Sequence, residues 1–372
     1  MHFKHWPLNK KTPLFEKHID AKAKMVDFHG WSMPINYGSQ ILEHEEVRKG
    51  CGIFDVSHMT ILDFKGPDVK HFIRTLIAND VDKLKEDCEG LYSAMLNEGA
   101  GVIDDLIAYK MEFGYRLVVN CATREENLKW ISSKSSGFNV KIKEREDLSM
   151  IAVQGPKSLK ILKDLGFHSV SSLESKKRGQ GVYKDDVMAV KTGYTGEKGF
   201  EVILPNGQSQ LFWDSALKIG ASPIGLAARD TLRLEAGMNL YGFEMNESIS
   251  PLECNMARTV SWLDEERNFI GKGALSKILR ENKYHELVGI LLNERTILRQ
   301  GQKLYLDEEK KLEGVVTSGT YSPTLKKPIA LARLPRENTK ICFAESRGKL
   351  IQAKIGSPKF INEGKEVFKE RR

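Results

Sequence analysis

The stretch "GVIDDLIAYK", residues 101–110, places two adjacent carboxylates, Asp104 and Asp105, in a segment that otherwise reads as an apolar β-strand. Successive side chains of a strand point to opposite faces, and each aspartate shares its face with apolar residues. The strand is therefore predicted to be covered on both sides, which desolvates at least one carboxylate unless it lines a cavity or finds donors. A buried, unpaired charge costs several kcal/mol, so the arrangement needs a physical reason.

Two interpretations of the aspartates follow from the residues alone. In the first, one carboxylate caps a loop or pairs with an arginine. In the second, it lines a ligand pocket, where burial sets its chemistry. If Phe113 and Gly114 are the central turn residues of a hairpin, Asn120 lies opposite Ile107, on the face of Asp105. Such a wall suits a small, planar, nitrogen-rich ligand.

Hydrophobic periodicity and capping signals predict a mixture of helices and strands. Thr123 and Glu126 have the spacing of a capping box at the start of one helix. The predicted helices follow "GPDVK" (66–70) and cover "TREENLKWI" (123–131), "PKSLKILKDLG" (156–166), "QLFWDSALKIG" (210–220) and "GLAARDTLRLEAG" (225–237). The predicted strands cover "GYRLVVN" (114–120), "SMIAVQG" (149–155), "DVMAVKTG" (186–193) and "GFEVILP" (199–205). Their irregular alternation indicates an α+β fold.

The character of the chain changes near residues 280–286. From about 286, short apolar segments are separated by glycine, proline and charged residues, which is typical of a separate β-barrel or sandwich. We therefore expect two regions, residues 1–285 and residues 286–372.

Composition excludes several classes of protein. The 57 Lys and Arg residues exceed the 50 Asp and Glu residues by only 7, spread along the chain, so nucleic-acid binding is not indicated, whereas an anionic ligand or partner is compatible. The five cysteines are odd in number and widely separated, which favours reduced thiols and a cytoplasmic location. No apolar run approaches the roughly 18 residues of a membrane span. No His, Cys, Asp and Glu cluster has metal-site spacing, so we expect no metal.

Two further segments carry candidate binding residues. "TGYTGEKGFE", residues 192–201, lacks the pattern of a phosphate-binding loop. It fits a tight turn that presents Tyr194 as a stacking surface and Glu201 as a bidentate acceptor for a pair of N–H groups. Arg229, in the helix at 225–237, is either part of a structural ion pair with neighbouring charges or a ligand for a carboxylate.

Several long motifs, in order along most of the chain, carry a family resemblance. They include "TPLFEKH" (12–18), "GIFDVSHM" (52–59), "GVIDDLIAYK" (101–110), "IAVQGP" (151–156), "GYTGEKGFEVILP" (193–205), "ARDTLRLEAGMNLYG" (228–242) and "TSGTYSPTL" (317–325). Together they resemble the aminomethyltransferase family, the T-proteins of the glycine cleavage system. The resemblance implies a three-domain cloverleaf around a folate channel, with two interleaved α+β domains and a C-terminal β-barrel of jelly-roll type.

The resemblance also implies a reaction and its participants. The one-carbon unit of an aminomethyl group, carried on the lipoyl arm of H-protein, passes to tetrahydrofolate. The products are 5,10-methylenetetrahydrofolate, ammonia and the dihydrolipoyl carrier. Expected partners are lipoylated H-protein and the other components of the glycine cleavage system, with no nucleic acid and no membrane.

Site residues transfer from the family by matching motifs. Asp105 matches the family's key aspartate and would position folate and stabilise the cation that forms as ammonia leaves; Asp104 would be structural. The matched folate-binding positions are Met59, Tyr92, Asn120, Tyr194, Glu201 and Arg229. Two departures, Ala227 and Lys326, stand where the family commonly has glycine and put partner affinity in doubt more than activity.

Three alternative functions are less well supported. A folate-binding relative in iron–sulfur maintenance or transfer-RNA modification would carry K-G-C-Y-x-G-Q-E where this chain reads "GMNLYGFEMNESISPLE" (237–253). The folate half of a sarcosine or dimethylglycine oxidase would need an attached flavin domain, for which we expect no room because the chain begins almost at "TPLF". A binding module without activity is the third alternative.

Overall fold

The computed structural model describes residues 9–166, 170–294, 296–346 and 348–371. The described residues form two compact units, each assembled from separated stretches of chain. Among the described residues, the first unit draws on 9–60, 145–193 and 197–230. The second unit draws on the described residues of 61–144, 194–196 and 231–371.

The helices of the described residues are short, and none combines the length and hydrophobicity needed to cross a bilayer. In chain order they are α1 (Phe15–Asp20), α2 (Gln40–Lys49), α3 (Val69–Leu76), α4 (Arg124–Lys134), α5 (Ser158–Asp164), α6 (Val170–Ser175), α7 (Asn206–Lys218), α8 (Leu226–Glu235) and α9 (Lys272–Glu281).

The strands lie between these helices and make up most of the chain beyond α9. In chain order they are β1 (Lys24–Phe28), β2 (Trp31–Asn36), β3 (Gly52–Asp55), β4 (Thr60–Lys65), β5 (Gly90–Leu96), β6 (Val102–Met111), β7 (Gly114–Val119), β8 (Lys141–Glu144), β9 (Leu148–Gln154), β10 (Gly181–Lys184), β11 (Val187–Val190), β12 (Gly199–Pro205), β13 (Ser222–Pro223), β14 (Glu286–Leu292), β15 (Lys303–Tyr305), β16 (Glu313–Ser322), β17 (Lys327–Leu334), β18 (Ile341–Ser346), β19 (Lys349–Gly356), β20 (Ile361–Asn362) and β21 (Lys365–Glu366).

The first unit is built on a six-stranded sheet in the order β10-β11-β12-β9-β3-β13. Its core combines alternate residues of β9 and β12 with the fully buried Trp213 of α7. The central strands β9 and β12 pair over seven residues, from Leu148 opposite Pro205 to Gln154 opposite Gly199. This long pairing fixes the position of β12, the strand that carries Glu201.

The second unit contains a five-stranded sheet in the order β5-β6-β7-β4-β8. Val102 of β6 packs in one apolar cluster and the next residue, Ile103, packs in another. Strand β6 is therefore covered on both faces, as its sequence predicts.

The same unit contains a closed barrel of six strands in the order β14-β17-β16-β15-β18-β19. Its interior is filled by small and branched side chains such as Val316, Ala330 and Ile355. Lys326, in the turn between β16 and β17, adopts a φ of 55°, in the left-handed region that favours glycine. The α+β class and the C-terminal barrel are thus confirmed.

The predicted register of the β6–β7 hairpin is wrong by two residues. Met111 pairs with Gly114 and Ile107 with Val118, so the turn residues are Glu112 and Phe113. Gly114 is instead the first residue of β7, where an added Cβ would lie 2.3 Å from the Phe64 carbonyl oxygen. Glycine is therefore needed at this position for the close approach of two strands and not for a turn. A register shift of two residues leaves Asn120 on the same face of the sheet.

The capping box predicted at the start of α4 is also wrong. Thr123 is the N-cap residue but makes no side-chain cap hydrogen bond, and its backbone is not extended, with φ −106° and ψ 12°. Its hydroxyl oxygen instead accepts a hydrogen bond from Nδ2 of Asn127 over 3.0 Å.

Candidate active site

Strand β6 carries Asp105, whose carboxylate is held by two side-chain donors. The Tyr92 hydroxyl donates a hydrogen bond to Oδ2 over 2.7 Å, and Nδ2 of Asn120 donates to Oδ1 over 2.8 Å. Asp105 is half-buried. A carboxylate that is oriented by its neighbours and remains partly accessible is able to contact a ligand directly.

Tyr92, on β5, is 38% exposed. Its hydroxyl lies 3.7 Å from Sδ of Met256 as well as within hydrogen-bonding distance of Asp105. Burial of the hydroxyl and, second, the charge of Asp105 raise the pKa of Tyr92 well above its ordinary value. The phenol therefore stays protonated at neutral pH and acts as a donor.

Asp104 has no exposed surface and is held by three N–H donors. The backbone N–H of Asn120 donates to Oδ2 over 3.0 Å, and Nδ2 of Asn120 donates to Oδ1 over 2.7 Å. Nδ2 of Asn127 donates to Oδ2 over 2.5 Å. The buried carboxylate thus has the donors that its sequence position required.

The two carboxylates affect each other's ionisation. Burial and, second, the charge of Asp105 raise the pKa of Asp104 to about 7. Burial also raises the pKa of Asp105, while its hydrogen bonds from Tyr92 and Asn120 oppose that shift. In the described part of the chain, neither carboxylate forms an ion pair with a lysine or arginine. The pair therefore has a high affinity for a positive charge.

The second unit also contains Tyr194, Asn239 and Cys254, which are linked by hydrogen bonds. The Tyr194 hydroxyl donates a hydrogen bond to the carbonyl oxygen of Asn239. Nδ2 of Asn239 in turn donates to the carbonyl oxygen of Cys254 over 2.7 Å. Burial and, second, the charge of Asp105 raise the pKa of the Cys254 thiol, so the thiol is neutral at physiological pH.

The first unit contains a second group of the candidate residues, centred on Glu201. Glu201 of β12 is 8% exposed, and its Oε2 has no hydrogen-bond partner among the described residues. Burial raises its pKa, and the charges of Arg229 and Arg178 oppose that shift. An enclosed acceptor without a donor is suited to N–H groups of a ligand.

Arg229 and Met59 belong to the same unit as Glu201. Arg229 lies on α8 and is half-buried, and its charge acts on both Glu201 and His58. Met59 is half-buried, and its backbone N–H donates to the Val56 carbonyl oxygen over 3.1 Å. The structure therefore groups Glu201 and Arg229 in the first unit, and groups Asp105 with its two donors and Tyr194 in the second.

His58, next to Met59, is a buried histidine of the first unit. It is 3% exposed, and in the described part of the chain its Nδ1 has no hydrogen-bond partner. Burial and, second, the charge of Arg229 lower the pKa of His58 to about 4. The imidazole is therefore neutral at physiological pH.

Sequence reasoning did not single out Asn127, Met256 or Cys254. A signal for Asn127 exists, because Asn127 follows Asn120 and Thr123 at steps of three and four residues, which places polar groups on one side of the chain entering α4. Met256 has no such signal, since 164 residues separate it from Tyr92.

Comparisons with known proteins agree with this architecture along nearly the whole chain. The GCVT N-terminal domain family matches residues 14–264, and the glycine cleavage T-protein C-terminal barrel domain family matches residues 285–362. Aminomethyltransferases of Legionella pneumophila, from strain Paris and strain Philadelphia 1, are each 48% identical over 365 residues, which is 97% of this chain and 100% of each relative. The crystal structure of glycine cleavage system aminomethyltransferase T from Bartonella henselae superposes with a TM-score of 0.88 at 32% identity, covering 97% of this chain and 99% of that one.

Proposed function

The chain belongs to the glycine cleavage T-protein family and is a tetrahydrofolate-dependent aminomethyltransferase; from this premise we propose that Asp105 is its catalytic carboxylate. The observation that carries the proposal is the environment of the Asp105 carboxylate. Tyr92 and Asn120 orient this carboxylate, and it remains partly accessible. Its pKa is raised, and no lysine or arginine of the described chain forms an ion pair with it. A site of this kind favours a substrate group that becomes positive during the reaction.

The proposed substrates are an aminomethyl group on the lipoyl arm of H-protein and tetrahydrofolate. The carbon is released from nitrogen and from sulfur and is bonded to two folate nitrogens. The nitrogen leaves as ammonia and the sulfur returns as the dihydrolipoyl thiol. Asp105 stabilises the iminium-like cation that forms as ammonia leaves, because a fixed carboxylate in a poorly solvated site interacts strongly with a developing positive charge.

Tyr92 and Asn120 keep Asp105 in place during this reaction. Their hydrogen bonds of 2.7 Å and 2.8 Å occupy one position on each carboxylate oxygen and leave the remaining lone pairs for the folate amines. The buried hydroxyl of Tyr92 holds its proton, so it does not compete as a base.

Glu201, Arg229, Met59 and Tyr194 are proposed as further folate-binding residues. The unpartnered Oε2 of Glu201 supports a role as acceptor for adjacent N–H groups of the pterin ring. The charge of Arg229 opposes the rise that burial causes in the pKa of Glu201, and so favours the ionised carboxylate that this role requires. Met59 and Tyr194 offer apolar and aromatic surfaces for a planar ring.

The proposed setting is the cytoplasm, with lipoylated H-protein and the other glycine cleavage components as partners. The five cysteines, all among the described residues, form no disulfide, which is compatible with a reducing compartment. Fractionation of the source cells, followed by detection of the protein in the soluble and membrane fractions, tests the location.

The function is tested by mixing the purified protein with aminomethylated H-protein and tetrahydrofolate in the absence of formaldehyde. We expect methylenetetrahydrofolate and ammonia in equal amounts, each dependent on both substrates. Tight folate binding without either product would contradict the proposed reaction and favour a binding role on the same fold.

A further inference from the structure

Asp104 and Asp105 are linked through a single amide group. Nδ2 of Asn120 lies 2.7 Å from Oδ1 of Asp104 and 2.8 Å from Oδ1 of Asp105. A side-chain amide nitrogen carries two N–H bonds, so one is available to each carboxylate. Any rotation of this amide therefore changes the hydrogen bonding of both aspartates together.

Nδ2 of Asn120 also lies 3.3 Å from the backbone carbonyl oxygen of Asp105, and the Asp104 carboxylate holds Asn120 with a further, shorter contact. Asp104 also accepts the backbone N–H of Asn120 over 3.0 Å and Nδ2 of Asn127 over 2.5 Å. Asp104 and Asn127 have no exposed surface. Separating these groups would leave buried donors unpaired, at a cost of about 1–3 kcal/mol each, so the arrangement is rigid.

Asp105, in contrast, is held by fewer contacts. Within the described structure its carboxylate has two side-chain donors, Tyr92 and Asn120, and Tyr92 is 38% exposed. Without the N–H of Asn120, the partly exposed tyrosine would be the one remaining side-chain donor to the carboxylate among the described residues. The position of Asp105 therefore depends on Asn120, the more deeply buried of its two side-chain donors.

We propose that Asp104 is a positioning residue that fixes the Asp105 carboxylate through the Asn120 side chain. The inference rests on the proposed function, since it takes Asp105 as the catalytic carboxylate. It replaces the expectation that Asp104 serves stability alone: removing its charge should lower turnover even when the protein folds.

Asp104→Asn is the first variant to measure. Three N–H donors converge on the two oxygens of Asp104, and an amide at this position would direct its own N–H groups at one or more of them. We expect Asn120 to reorient and kcat to fall roughly 10- to 100-fold, as for a displaced catalytic group, while KM for tetrahydrofolate changes less than about threefold.

A double-mutant cycle with Asn120→Ala separates positioning from an independent effect. If Asp104 acts through Asn120, the double variant has the kcat of Asn120→Ala alone. Effects that multiply in the double variant would overturn the proposal, as would a folded Asp104→Asn protein with the kcat of the wild type.

Asp63→Asn is the matched control, since it removes another buried carboxylate from the same sheet. Asp63 lies on β4 and accepts a hydrogen bond from Nε of Arg116 over 2.7 Å. This variant should lose stability and keep kcat. If Asp104→Asn does not fold, Asn127→Ala removes one donor of Asp104 and should lower kcat in the same direction; a stable Asn127→Ala with wild-type kcat would overturn the proposal.

A crystal structure of Asp104→Asn gives a readout that does not depend on turnover. We expect the Asn120 amide nitrogen to have moved away from Asp105. An amide nitrogen still within about 3 Å of Oδ1 of Asp105 would overturn the positioning role. Absence of turnover in the wild type would count against the proposed function instead, so the two failures are distinguishable.

Discussion

At the residue scale, the adjacent aspartates differ in what holds them. Asp104 is completely buried and accepts three N–H donors, whereas Asp105 is half-buried and accepts two side-chain donors. Burial raises the pKa of both, and the negative Glu244 adds to the shift at Asp105. Neither carboxylate contacts a cation of the described chain, so ionisation of both is unfavourable in the free protein. Ionisation becomes favourable when a positively charged substrate group binds beside them.

Glu201→Gln should weaken tetrahydrofolate binding by roughly 10- to 100-fold, the value of a lost hydrogen bond to a charged acceptor. Glutamine keeps one acceptor but presents an N–H group where Oε2 now has no described partner. The dissociation constant can be measured by titration calorimetry. Glu197→Gln is the control, because Glu197 pairs with Arg48 over 2.8 Å. Equal folate affinity for Glu201→Gln and the wild type would remove Glu201 from the binding site.

His58 predicts a pH dependence of stability. Its pKa falls from an ordinary value of 6.5 to about 4 on folding, so the unfolded chain binds more protons between these values. The stabilisation is therefore complete above about pH 6.5 and is lost as pH falls toward 4. Between pH 7 and pH 5 this loss amounts to about 2 kcal/mol.

His58→Gln lacks the titrating group, so its free energy of unfolding should fall less on acidification than that of the wild type. Urea unfolding at pH 5 and pH 7 measures both proteins. Parallel changes in the wild type and the variant would show that His58 does not carry this dependence.

At the scale of elements, helices and strands could be predicted because burial of one face imposes its period on the sequence. The strands at 114–120, 149–155 and 199–205 are found as β7, β9 and β12. The hairpin register could not be predicted in the same way. Glycine is common in turns, which is why the sequence predicts a turn at Gly114. In the structure a glycine is required there because β7 approaches the Phe64 carbonyl oxygen, and Phe64 is 50 residues away in sequence.

The start of α4 shows the same limit for capping signals. Thr123 and Glu126 have the right spacing, but the Thr123 hydroxyl accepts from Asn127, which itself donates to Asp104. Hydrogen bonds that connect Thr123 through Asn127 to Asp104 have therefore replaced the local capping box. The apolar surroundings of Asp104 and Asp105 predicted that at least one of them is desolvated, and the family resemblance selected Asp105; the shared Asn120 amide required the structure.

Asp63→Asn should destabilise the five-stranded sheet by about 3–5 kcal/mol, the cost of breaking a buried ion pair from one side. Asp63 of β4 and Arg116 of β7 are nearly inaccessible and make two hydrogen bonds, of 2.7 Å and 2.9 Å. Chemical unfolding measures the change. A loss below about 1 kcal/mol would mean that the sheet does not depend on this pair.

At the scale of the whole molecule, the α+β class could be predicted from the alternation of elements. The short apolar segments after residue 286 predicted a barrel or a sandwich, and the family resemblance implied the barrel. The interleaving could not be predicted from composition, because stretches such as 145–193 and 197–230 join residues before 60 without a change in composition; only the family resemblance implied it. The division into residues 1–285 and 286–372 stays a prediction. Limited proteolysis between α9 and β14 would test it.

The net charge of +7 predicts that association with an acidic H-protein is salt-dependent. Opposite charges accelerate encounter, and screening removes that acceleration, so the association rate should fall roughly tenfold or more between low and high salt. Stopped-flow measurement at several salt concentrations tests this. An association rate that does not change with salt would show that the excess charge plays no part in docking.

The most direct test of the account compares methylenetetrahydrofolate formation by the wild type and by Asp105→Asn, with aminomethylated H-protein and tetrahydrofolate as substrates. The substitution keeps the size of the side chain and removes its charge. We predict a folded variant whose turnover is lower by roughly 10²–10³-fold, the range for loss of one group that stabilises charge in the transition state. A folded Asp105→Asn protein with turnover close to that of the wild type would contradict the central claim that this carboxylate carries the reaction.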